Sequence, residues 1–285
     1  MKTLLEHAKG SPLDITANFG YPVGTVTLFP LHTTQLRSLD FGASRWTEIQ
    51  RFSEVDSGPL PLFHTLRIDI IRPFTEFGLG HHNTIIPPTL PLFADAVNLK
   101  DFILHSERSP HLGHFVLPNI TTFELSATPA RGEFRASDLL NFLEASPMLR
   151  TVRMEVTGYI AFEGIPRERI VVLPDVETFS LVVSDGVRGH KTAAHILCPS
   201  VRHVSLVHER DARQTVPQEV LPDPVSWNVI ARQYTRSPDE EVSLEVGATL
   251  DAVIRCSLTF LSPGATVILG FEVARGIVHD GESRH

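Results

Sequence analysis

Leu117–Val156, LPNITTFELSATPARGEFRASDLLNFLEASPMLRTVRMEV, holds one complete structural unit and the start of the next. Ile120, Phe123 and Leu125 stand in an L-x-x-L-x-L arrangement, which predicts a short strand with its apolar side chains on one side. A polar loop follows through Thr128, Pro129, Arg131 and Gly132. Ser137 to Ala145 then carries Leu139, Leu140, Phe142 and Leu143, the cluster of a helix begun by a capping serine and stopped before Pro147. The strand pattern returns at Leu149, Val152 and Met154. One unit is therefore strand, loop, helix, strand.

The unit recurs. First apolar positions fall at Leu36, Phe63, Leu99, Ile120, Leu149, Val176 and Val201, separated by 27, 36, 21, 29, 27 and 25 residues. A degenerate copy around Leu13 and Ile15 precedes them, and another around Val242 and Leu244 follows. Periods of about 20–29 residues with this hexamer are the mark of leucine-rich repeats. A lone hexamer fits any buried strand, but seven in order, several introduced by proline (Pro118, Pro147, Pro174, Pro199), do not arise that way. The 36-residue interval makes the array irregular.

The fold expected is thus α/β: a leucine-rich-repeat-like solenoid with a curved parallel sheet and irregular helices and loops on its convex side. Such a unit cannot bury its apolar face alone and must stack on its neighbours. The array is expected over residues 1–246, and residues 247–285 as a C-terminal capping segment and tail. Strands are predicted at Ser11–Thr16, Leu36–Phe41, Phe63–Ile70, Leu99–Leu104, Val176–Val183 and Val201–Val207 besides those quoted above. Short helices are predicted over residues 1–9, around Trp46, Ile49 and Phe52, and over Ser226–Tyr234. Glu241–Val246, Ala252–Phe260 and Ala265–Val273 read as closing strands.

In each strand the residues between the apolar positions face outward. The side chains expected on that inner, concave surface include Asp40, Arg67, Asp101, Glu124, Arg153, Ser180 and His203. They are short, mostly polar and mixed in charge, which suits a protein partner better than a small molecule.

Composition sets further bounds. With 42% hydrophobic and 20% charged residues the chain has an ordinary globular make-up. A net charge of −8 and a pI near 5.9 speak against nonspecific nucleic-acid binding. The N-terminus, MKTLLEH, lacks the apolar core of a signal peptide, and no apolar run reaches the ~20 residues of a membrane span. Two cysteines, Cys198 and Cys256, cannot form a disulfide framework. An intracellular protein with reduced thiols and no membrane association is expected. Asn119-Ile120-Thr121 matches a glycosylation acceptor but opens a predicted strand.

Several phrases resemble a known group: Gly10–Thr16 (GSPLDIT), Ser57–Leu62 (SGPLPL), Leu143–Val152 (LEASPMLRTV) and Pro166–Pro174 (PRERIVVLP). They look like F-box proteins with leucine-rich-repeat-like tails, expanded in mushroom-forming fungi, and the likeness covers nearly the whole chain as the repeat-bearing part. The resemblance implies substrate selection by the repeats within a cullin–RING ubiquitin ligase. In that group a helical F-box precedes the repeats and docks on the ligase adaptor. Here residues 1–9 lead almost directly into the first repeat, so the adaptor-binding half is expected to be missing.

No catalytic, cofactor or metal site is read. His105, His111 and His114, with Glu107, lack a cysteine pair or an H-E-x-x-H helix. There is no G-x-S-x-G elbow, and the glycines at 78–80 and 186–189 lack the spacing of a nucleotide loop. Cys198 stands just before a strand, where a buried inert thiol is usual. The expectation is a protein-binding module and not an enzyme. The alternatives are an α/β enzyme, which would need a polar cluster following two or more strands, and a stand-alone scaffold or decoy.

Overall fold

The alternation of apolar and polar residues in each hexamer is the alternation the backbone follows. The computed structural model describes residues 10–18, 33–43, 49, 60–71, 93, 96–107, 110–128, 134–157, 160–162, 164–166, 168–183, 189–201, 203–210, 252–260 and 267–275. The strands are β1 (Leu13–Asn18), β2 (Leu36–Ala43), β3 (Thr65–Ile70), β4 (Asp101–Ser106), β5 (Thr122–Ala127), β6 (Phe134–Arg135), β7 (Thr151–Val156), β8 (Ile160–Ala161), β9 (Val171–Val172), β10 (Thr178–Val183), β11 (Ile196–Leu197), β12 (His203–Arg210), β13 (Ala252–Phe260) and β14 (Val267–Arg275). The helices are α1 (Ala136–Glu144) and α2 (Gly189–Ala194).

The main sheet runs in the order β1-β2-β3-β4-β5-β7-β10-β12-β13-β14. Each strand from β1 to β12 pairs parallel with the next. A β13–β14 hairpin then closes the series antiparallel. The protein is therefore α/β with a sequentially built parallel sheet. Two small parallel pairs, β6–β8 and β9–β11, and the two helices lie in the connections.

What repeats most faithfully is a turn. A backbone N–H bonds the carbonyl three residues back at Phe63→Leu60, Leu99→Ala96, Ile120→Leu117, Leu149→Ser146, Val176→Leu173 and Val201→Cys198, over 3.0–3.5 Å. Proline follows the first turn residue at 61, 118, 147, 174 and 199, where its fixed φ suits position two of the turn and its missing N–H costs nothing. The next N–H reaches across to the neighbouring unit: Lys100→His64, Thr121→Lys100, Arg150→Thr121 and Glu177→Arg150, each 2.8 Å. Side chains add struts between turns. Asn98 Nδ2 donates to the Pro61 carbonyl (2.7 Å), Asn119 Nδ2 to Val97 (2.9 Å), and the buried Ser146 Oγ to Leu117 (3.2 Å). The Asn119 amide thus serves the stack.

These turns correct the predicted strand starts. Strand β2 begins at Leu36 as predicted, but in the later hexamers the first apolar residue closes the turn and the strand begins two residues on, at Asp101 rather than Leu99 and at Thr122 rather than Ile120. The helix is also shifted. It starts at Ala136, which is fully buried, with Arg135 as an N-cap that makes no side-chain bond. Ser137 lies inside the first turn and donates to Asp138, so it is not the cap.

The core lies on one face of the sheet. Buried residues align in register across strands: Leu39, Leu66, Phe102, Phe123, Val152 and Phe179 form one row, and Phe41, Ile68, Leu104, Leu125, Met154 and Leu181 the next. Phe102 and Phe123 stack at 5.8 Å, and Phe142 of α1 closes over Phe123 at 4.7 Å. Phe115 meets Phe102 at 4.8 Å from the preceding connection. Each such ring contributes dispersion and about 1.5–3 kcal/mol of transfer free energy.

The sheet shows no strong curl. Among the described residues the connections hold a nine-residue and a six-residue α-helix, two short 3-10 turns and short extended pairs. Ile49 is helical and fully buried, as its periodicity predicts. The predicted helices at 1–9 and 226–234, the strand at 241–246 and most of 71–95 lie outside the described residues. No described helix is long and apolar enough to cross a membrane.

Candidate functional site

The other face of the same strands is open, and every second residue of the parallel strands points to it. The first outward row runs Ser38, Thr65, Asp101, Thr122, Thr151, Thr178 and, by backbone register, His203. The second runs Asp40, Arg67, Ile103, Glu124, Arg153 and Ser180. All seven candidate residues fall in these two rows: Asp101 and His203 in the first, Asp40, Arg67, Glu124, Arg153 and Ser180 in the second. Parallel pairing sets like positions of successive strands side by side, so the rows cross the sheet from β2 toward β12.

A third row was not anticipated. Gly42, Asp69, His105, Ser126, Glu155 and Val182 stand in register near the carboxyl ends of the strands. The signal was present in the sequence, because the alternation continues two residues beyond the last leucine of each hexamer. It went unread because the hexamer ends sooner than the strand.

Charges on this face are paired locally. Arg67 Nε lies 3.2 Å from Asp69 and 3.8 Å from Asp40, while His105 Nδ1 lies 3.1 Å from Asp69. Arg153 donates to Glu124 at 2.8 Å, linking β7 to β5. At the outer strand the Arg37 guanidinium and the Ser38 hydroxyl both donate to Asp14, which holds its carboxyl down to about 2. These exposed pairs add little to stability, because water screens them. Across β2–β7 the three rows carry five carboxylates (Asp40, Asp69, Asp101, Glu124, Glu155) against two guanidiniums (Arg67, Arg153), so the face is acidic.

Where the third row meets the strand ends there is an open depression of about 300 Å³. Asp69, His105, Ser126 and Thr128 line it with Glu107 and the buried Ser106, and Ile70 and Ile71 form its apolar wall. In α/β sheets ligands bind at this edge, beyond the carboxyl ends of the strands.

The remaining histidines are placed elsewhere. His111 precedes and His114 ends a short 3-10 turn beside α1, with rings 5.7 Å apart. Burial, then the neighbouring His114, pushes His111 down to about 4, against the opposing pull of Asp138, and burial lowers His114 as well. Among the described residues no group of three His, Cys, Asp or Glu side chains is placed to hold a metal ion. The Cys198 thiol is buried. No family model, curated protein or solved structure matches the chain.

Proposed function

We propose that this chain is a protein-interaction module, a shallow leucine-rich-repeat-like array whose open sheet face binds a partner protein. The observation that supports the reading is the set of outward rows: polar side chains in register along consecutive parallel strands, spanning a surface too broad for a small ligand. Its likeness to the repeats of fungal F-box proteins makes substrate recognition for a cullin–RING ubiquitin ligase the specific form of this proposal. An intracellular location goes with it.

The test is affinity purification of the chain from its own cells with quantitative mass spectrometry, alongside the double variant Arg67→Glu, Arg153→Glu. A partner enriched by the unaltered chain and lost from the folded variant supports binding through this face. Equal recovery by both moves the site off the sheet face. Co-purification of the cullin–RING adaptor supports the ligase form, and a partner without the adaptor makes the chain a recognition module, scaffold or decoy.

A further inference from the structure

The turns that lead into the strands build a second surface, at the amino edge of the sheet. Their second residues are Pro61, Val97, Pro118, Pro147, Pro174 and Pro199, and every one is apolar and exposed. Turn geometry gives proline a reason to stand there. It gives none for Val97, which is 58% exposed. Leu62 and Met148 add exposed apolar side chains at the third turn residue, and Val116 and Val172 add two more just before the first. Five of the seven large apolar side chains that stand exposed among the described residues therefore gather at this edge.

The strip is continuous, because each turn is tied to the next. The Asn98 and Asn119 amides and the Ser146 hydroxyl link the first four turns. The Glu177 N–H to the Arg150 carbonyl, and the Leu173 N–H to the Leu197 carbonyl, each 2.8 Å, carry the series through the last two. At about 4.8 Å per strand, six turns extend for about 24 Å. The apolar row stops at β2, where Thr34 takes the equivalent place. Contiguous exposed apolar surface of this kind marks a site of association.

Charge decides what covers it. Besides His64, the described residues of the six turns and those directly after them carry two cations, Lys100 and Arg150, and two anions, Asp175 and Glu177. Among the described residues none of these four has an ion-pair partner, and Lys100 Nζ donates to the neutral Asn119 carbonyl at 3.3 Å. A partner of uniform charge would be repelled at one end of the strip. A second copy turned about a two-fold axis is not. Counting the turns from Leu60–Phe63 to Cys198–Val201, the antiparallel arrangement that overlaps all six sets the second against the fifth and the third against the fourth. Lys100 then faces Asp175 and Glu177 of the other copy, twice over. Arg150 faces the uncharged turn that ends at Ile120. No two like charges among these four meet.

We infer that two copies of this chain associate through their amino edges, about a two-fold axis between the Leu117–Ile120 and Ser146–Leu149 turns. The axis stands along the sheet normal, so both open faces stay uncovered and lie on the same side of the dimer. The strip is narrow for an interface between two proteins, which sets the expected dissociation constant at about 10–100 µM. The inference goes beyond the protein-binding reading and does not rest on it.

The experiment is sedimentation equilibrium of the full chain up to about 500 µM, where a single monomer–dimer equilibrium is expected. Lys100→Glu brings a third carboxylate beside Asp175 and Glu177 and should raise the dissociation constant at least ~10-fold. Combining it with Asp175→Lys and Glu177→Lys reverses both sides of the contact and should restore the dimer. A merely structural role for Lys100 would not be rescued in that way. An unaltered chain that stays monomeric throughout overturns the inference. So does a dimer that Lys100→Glu leaves unchanged, or a triple variant that associates as weakly as the single one. The first measurement needs no variant to fold, and unchanged melting midpoints show that the variants do.

Discussion

The two faces of one sheet are built from alternate residues of the same strands, yet physics treats them in opposite ways. On the buried face Leu66, Phe102, Phe123 and Val152 are all fully excluded from solvent and touch in register. One residue away in each strand, Arg67, Ile103, Glu124 and Arg153 stand partly or fully exposed. The first set is held by volume and admits only apolar residues of fitting size. The second is constrained by little except the absence of a reason to be apolar, which leaves it free for recognition. Stability lives on one face, and function on the other.

That division can be broken most sharply at Phe123. Phe123→Ala removes a ring packed between Phe102 and Phe142, and should cost about 3–5 kcal/mol, read as a lowered denaturant midpoint. An unchanged midpoint would mean that the row is not a core. Ser146→Ala tests the turn struts at smaller scale. Its hydroxyl is fully buried and bonds the Leu117 carbonyl, so its loss should cost about 1–2 kcal/mol.

A pH titration probes the connection packed on α1. His111 is held near 4 in the folded chain and titrates at its ordinary 6.5 when unfolded. Below 6.5 the unfolded chain takes up the proton first, so stability should fall as pH drops from about 6.5 to 4 and level off below. The loss should be about 1–2 kcal/mol after allowance for solvent screening. His111→Gln should reduce that slope in urea melts repeated across this range, leaving the part that the lowered His114 contributes, and an unchanged slope would place the titrating group elsewhere.

The smallest stability effect belongs to the open face. Arg67→Glu with Arg153→Glu should change stability by less than about 1–2 kcal/mol in total, since both side chains sit in solvent. The same pair is predicted to abolish partner capture. A large loss of stability would blur the contrast between the faces, and loss of binding alone would sharpen it.

The alternation itself was legible. Phe123 and Leu125 inward, Thr122 and Glu124 outward, follow from a period of two, and the parallel order follows from repeating units too short to do anything but stack. Most of the exact strand starts were not, because Ile120 and Leu149 read as strand residues while their N–H groups are committed to turns. The helix start misled for a similar reason: a serine in capping position lost to the burial of Ala136.

By itself, then, the sequence determined which residues are inside, which face outward, and that consecutive units lie side by side. Those are local properties, set by side-chain polarity and the two-residue pleat. Only the tertiary structure decided the lateral register, and with it the meeting of Asp69, His105 and Ser126 from strands 21 to 36 residues apart. Register depends on backbone bonds between turns of neighbouring units, which connections of unequal length conceal from any reading along the chain.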